Sequence, residues 1–78
     1  HNVVIISDDS KIDEIGQQAL TSSGYIPDNE AIIAATSMAD AGKKTETTFI
    51  APSKAGKYTF ICTYPGHYVM MRGVMIVE

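Results

Sequence analysis

The 78-residue sequence predicts an all-β domain, a Greek-key sandwich with one short helical excursion. Three observations predict it. Short β-branched or apolar runs recur at near-regular spacing, joined by links of hairpin length. The segment Lys57–Cys62 alternates with the strand period of two: Tyr58, Phe60 and Cys62 on one face, Thr59, Ile61 and Thr63 on the other. Helical spacing occurs in one stretch only, where Ile12, Ile15 and Ala19 recur.

Each element has its own signal. Val3–Ile6 is β-branched throughout and reads as a strand that needs cover on both faces. Ser7-Asp8-Asp9-Ser10 is turn chemistry with four side chains able to cap a helix. A helix over Lys11–Ser22 follows, with Asp13 and Glu14 suited to its first turn and Gly24 as the stop. Pro27-Asp28-Asn29 turns the chain. Glu30–Thr36 reads as a strand around Ile32 and Ile33, and its alanines leave a helix open. Met38–Lys44 is a loop, and Thr45–Ile50 is a β-prone strand. Pro52–Gly56 turns the chain back into Lys57–Cys62. The loop Thr63–Gly73 then leads to a last strand, Val74–Glu78, the fifth.

Composition bounds the function. Apolar residues at 45% and charged residues at 19% describe a globular chain rather than a disordered one. The longest aliphatic runs, Val3–Ile6 and Ala31–Ala35, fall far short of the ~20 residues of a membrane-spanning helix. Nine acids against six bases, a net charge of −3, leave no basic face for nucleic acid. A single cysteine excludes an internal disulfide, so a fold this small needs a metal, a partner or more chain as its staple.

The chemistry concentrates in Cys62-Thr63-Tyr64-Pro65-Gly66-His67-Tyr68-Val69-Met70-Met71-Arg72-Gly73. One thiol, one imidazole and two thioethers lie within ten residues. Taken singly, each has an ordinary explanation: His67 as a loop histidine, Cys62 and the methionines as core filling. Taken together they match a copper donor set, since two histidines, a cysteine and a weak axial methionine make up electron-transfer copper sites. Pro65-Gly66 supplies the turn that brings Cys62 and His67 together. The second histidine must be His1, the only other one present.

Cys62-Thr63-Tyr64-Pro65-Gly66-His67 followed by Met71 and Gly73 resembles the copper loop of azurins and auracyanins, blue copper proteins of the cupredoxin family. His1-Asn2-Val3-Val4 is similar to the family's His-Asn pair opening a core strand. Tyr58–Cys62 resembles the strand feeding the loop, and Lys11–Ser22 falls where the family carries a helical flap. The resemblance implies a cupredoxin fold and one copper per domain, held by His1, Cys62 and His67 with Met71 as the axial thioether. It implies that Asn2 ties the His1 strand to the loop and that the Tyr64 amide donates to the cysteine sulfur. Pro65 and Gly66 would shape the turn. Tyr68, Val69 and Met70 would surround the exposed edge of His67 as a docking surface. The implied function is one-electron transfer between redox proteins by transient contact, in a periplasmic or other extracytoplasmic setting, with no enzymatic activity.

Nothing here precedes His1, whereas family domains have strands before that histidine. Residues 1–78 are therefore expected to be the C-terminal part of one cupredoxin domain. About 40 further residues, set against a sandwich norm of ~100, would complete it as an upstream segment or a companion chain, with membrane tethering one use of such a segment. Three other functions compete. An N-terminal histidine brace for copper oxygenation would leave Cys62 without a role. A copper storage or delivery module would use the same soft ligands. A metal-free adhesion sandwich would use none of them.

Overall fold

A computed structural model describes residues 1–78. Its four strands are β1 (Val4–Ile6), β2 (Ile32–Ala35), β3 (Gly56–Ile61) and β4 (Arg72–Val77), with one helix, α1 (Ile12–Ala19), between β1 and β2. They form a single sheet in the order β2-β1-β3-β4, every neighbouring pair antiparallel. β1 is central, pairing Val4 with Ala35 on one side and with Ile61 on the other. This explains why Val4, Ile5 and Ile6 are all buried, as three consecutive β-branched residues predict.

Helix α1 covers one face of the sheet. Ile12 and Ile15 meet Val4, Ile6, Ala31 and Ile61 in one core, with Ile32, Ala35 and Tyr68 packed against it. Burial of each isoleucine side chain contributes about 1.5–3 kcal/mol. The helix is entered through a 3-10 turn, Asp9–Lys11, capped by Asp8, whose carboxylate accepts from the Ser10 amide at 3.0 Å and the Ser10 hydroxyl at 2.7 Å. Those bonds, the hydroxyl foremost, hold the Asp8 carboxyl below its usual value. Asn29 fastens the far end: its amide donates to Glu14 and Gln18 at 2.9 and 3.1 Å, and its oxygen accepts from the Ala31 amide.

The element boundaries correct several expectations. α1 ends at Ala19 rather than Ser22, because Thr21 and Ser22 turn their hydroxyls back onto the Gln18 carbonyl. Gly24, with φ 62°, lies in a separate 3-10 turn beyond it. β4 begins at Arg72, two residues before the expected start, because pairing with β3 runs on to Ile61. The strand expected over Thr45–Ile50 does not form, so the chain has four strands rather than five. Its residues find no ladder partner within the chain: Ile50 is 93% exposed, and the Thr45 hydroxyl donates to the Ser37 carbonyl. Propensity alone does not make a strand without a neighbour to pair with.

Candidate metal centre

The two ends of β1 and β3 that lie side by side carry the site. Cys62 follows β3 directly and is 3% exposed; its amide donates to the Met71 carbonyl at 3.0 Å, extending the β3–β4 pairing by one residue. His1 stands ahead of β1. Its backbone nitrogen donates to the Ala39 carbonyl at 2.9 Å and its carbonyl accepts from the Ala39 amide at 2.8 Å.

Asn2 joins the two strands. Its side-chain amide donates to Thr63 Oγ1 at 2.8 Å, and its oxygen accepts from the Thr63 amide at 2.8 Å. Both residues are buried, 7 and 1% exposed, so neither bond competes with water. Thr63 escapes the sequence reading as a partner. Its signal was present: a polar side chain sharing an inward face with Ile61 has to be satisfied there.

Pro65-Gly66 turns the chain as expected. Gly66 takes φ 82°, a left-handed conformation that a side chain disfavours, and it opens a single 3-10 turn, His67–Val69. The His67 amide donates to the Tyr64 carbonyl at 2.9 Å, closing the turn under the imidazole. Cys62 Sγ and His67 Nδ1 lie 3.8 Å apart, and the His1 and His67 rings meet edge to face with centroids 5.0 Å apart. The Tyr64 ring lies beyond His67 at 4.7 Å.

One donor atom from each of His1, Cys62 and His67 lies within 4.8 Å of the others. Metal–ligand bonds of about 2.0–2.3 Å put neighbouring donors around one ion roughly 3.3–4 Å apart, so the sulfur–nitrogen spacing suits a shared metal. One sulfur and two imidazole nitrogens form a donor set suited to copper. A depression of about 320 Å³ opens beside His1 and His67, lined also by Tyr64 and Met38. The largest cavity, about 440 Å³ and lined by Asp8, Glu14, Asp28 and Glu30 among others, shares no residue with the three donors.

The residues expected around His67 divide. Val69 and Met70 are 61 and 87% exposed, and Met71 39%. Tyr68 departs from the expected solvent-facing role: it is half-buried and packs against the core, its ring over Gly16. No helix in the chain is long and apolar enough to cross a membrane.

Comparison with known proteins agrees with this geometry. The family of copper binding proteins, plastocyanin/azurin family, matches residues 1–78. Auracyanin-A of Chloroflexus aurantiacus is 37% identical across all of this chain and 51% of its own length. Azurin iso-2 of Methylomonas sp. (strain J) is 35% identical, across all of this chain and 64% of its own. The structure of auracyanin A, a "blue" copper protein, matches with a TM-score of 0.91 at 34% identity, over all of this chain and 67% of the other. Dithionite-reduced auracyanin from Roseiflexus castenholzii matches with a TM-score of 0.84 at 37% identity, over 66% of its chain. The chain thus spans about half to two thirds of the relatives it matches. Its mostly β architecture with one short helix is that of the auracyanins, the cupredoxin fold. The chain belongs to the copper-binding plastocyanin/azurin family.

Proposed function

We propose that the protein carries single electrons through a copper ion bound by His1, Cys62 and His67, with Met71 as a weak axial ligand. The observation that carries it is the convergence of one buried sulfur and two imidazoles, each fixed by backbone bonds outside the donor group. Copper bound there supplies a one-electron couple. The chain supplies a holder that has little need to rearrange: Cys62 is fixed by the sheet, His1 by its bridge to Ala39, and His67 by its turn. In this structure the hydrogen-bond contact of Cys62 Sγ is to His67 Nδ1; an amide hydrogen bond from Tyr64 to the sulfur, as the family resemblance implies, would lower the electron density on the ligand and tune the couple. Such a site carries electrons and transforms no substrate. An oxygenase brace at His1 would leave the buried thiol of Cys62, within reach of His67, without a role.

The loop spacing of the azurins and auracyanins assigns the thioether donor to Met71 rather than to Met70. Replacing Met71 with Leu removes a weak donor and puts an apolar group beside the ion, which lowers the preference of the site for the more highly charged Cu(II) over Cu(I). Copper stays and the potential rises, by about 59 mV for each tenfold loss of that preference. Voltammetry on both variants decides it. A shift on Met70→Leu with none on Met71→Leu reverses the assignment.

Electrons leave by the edge of His67, inside an apolar rim of Val69 and Met70. Partners are other redox proteins, met through a contact at the small end of the range, under about 1,200 Å². Val69→Asp places a charge in that rim and is expected to slow exchange with a partner by roughly tenfold while the copper spectrum stays the same. An unchanged rate, with unchanged salt dependence, moves the exit elsewhere.

An extracytoplasmic compartment suits a copper–thiolate site, since cytosolic thiols do not compete there. Residues 1–78 are proposed to be the C-terminal part of one cupredoxin domain, completed by an upstream segment or a companion chain. The short length relative to the matched proteins and the exposure of Val3, Ile50, Val74 and Ile76 support this, and an intact mass of the native protein above 8.4 kDa is its test.

A further inference from the structure

We propose that Tyr68, seated against Gly16 of α1, positions the His67 turn, so that the helix anchors one half of the donor group. This rests on His67 being a copper ligand. Gly16 is buried in the middle of the helix, where glycine is a poor choice. Its use there is steric: a Cβ on Gly16 would overlap the Tyr68 ring at Cδ1, Cε1 and Cγ. The ring therefore lies directly on the helix backbone. Gln17, the next residue, donates from Nε2 to the Tyr68 hydroxyl at 3.1 Å.

The backbone of Tyr68 is held as firmly as its ring. Arg72 donates to the Tyr68 carbonyl twice, from Nε at 3.1 Å and from Nη2 at 2.9 Å. One residue earlier, the His67 carbonyl accepts from the amides of Met70 and Met71 at 3.1 and 2.8 Å. Successive Cα atoms are ~3.8 Å apart across a trans peptide, so a displaced Tyr68 carries His67 with it. Cys62 is anchored differently, by β3 and by the Asn2–Thr63 pair. The 3.8 Å separation of Sγ and Nδ1 thus depends on the sheet for sulfur, and on the helix together with Arg72 of β4 for nitrogen.

The test uses the intact copper-loaded protein, reading Cu(II) affinity by chelator competition and the position of the thiolate absorption band. Gly16→Ala forces the ring off the helix, and Tyr68→Ser removes the ring. Each is expected to weaken Cu(II) binding roughly tenfold, as loss of a ligand-orienting contact does, and to shift the band. The double variant should match Tyr68→Ser alone, because the three closest atoms the new methyl group would meet all belong to the ring. Ala19→Gly, which loosens the same helix and leaves the Gly16–Tyr68 contact in place, should lower the melting temperature and leave band and affinity unchanged. Wild-type band and affinity in Gly16→Ala and Tyr68→Ser, strict additivity in the double variant, or an equal band shift in Ala19→Gly would each overturn the proposal. If Gly16→Ala does not fold, Tyr68→Ser set against Ala19→Gly decides. A wild-type protein lacking a thiolate band overturns the ligand assignment and this inference together, whereas the other results overturn this inference alone.

Discussion

Cys62→Ser is expected to abolish the strong visible absorption of the Cu(II) protein and its rapid electron exchange, while the fold survives. The sequence holds one cysteine, so no other side chain can supply a thiolate. The exchange of sulfur for oxygen changes the volume little, and the amide bond from residue 62 to the Met71 carbonyl is a backbone bond that the substitution leaves in place. His1 and His67 still face one another, so some metal binding persists, with a colourless Cu(II) form. Absorption and electron paramagnetic resonance of the copper-loaded variant check it. A variant that keeps the intense band removes Cys62 from the ligand set.

Asn2→Ala should have the largest effect on stability of any substitution outside the donors. It leaves the buried Thr63 amide without its acceptor and the Thr63 hydroxyl without its donor. An orphaned buried polar group costs about 1–3 kcal/mol. In a domain of 60–100 residues each kcal/mol lowers the melting temperature by roughly 4–8 °C. Thr63 adjoins Cys62, so copper affinity should fall as well. Thermal unfolding of the metal-free protein and copper competition measure the two effects. If neither changes, the strand carrying His1 and the loop carrying Cys62 are not held together by this pair.

The candidate site is more legible in the sequence than the sheet around it, for a physical reason. Cys62, Pro65, Gly66 and His67 are local: a turn residue and a donor a few positions apart state their own geometry. Lys57–Cys62 is legible because its alternation reports two faces directly, and the structure realises it as β3 with Cys62 one residue past its end. Thr45–Ile50 misleads because strand propensity describes a residue's fit to a sheet and says nothing about whether a neighbouring strand exists. The end of α1 misleads because Gly24 advertises a stop, while Thr21 and Ser22 bond back to the Gln18 carbonyl before the chain reaches it. Tyr68 reads as a surface residue because its neighbours Val69 and Met70 are exposed. Its inward seat depends on Gly16, fifty-two positions away in the sequence (68 minus 16), and no local pattern conveys that pairing.

The central claim, that His1, Cys62 and His67 share one copper, is tested most directly by titrating the metal-free protein with Cu(II) and recording the visible spectrum. An intense band should grow linearly and stop at one copper per chain, because a single thiolate can donate to only one such ion. Copper that binds with only faint colour, or a band that continues to grow past one equivalent, would contradict it.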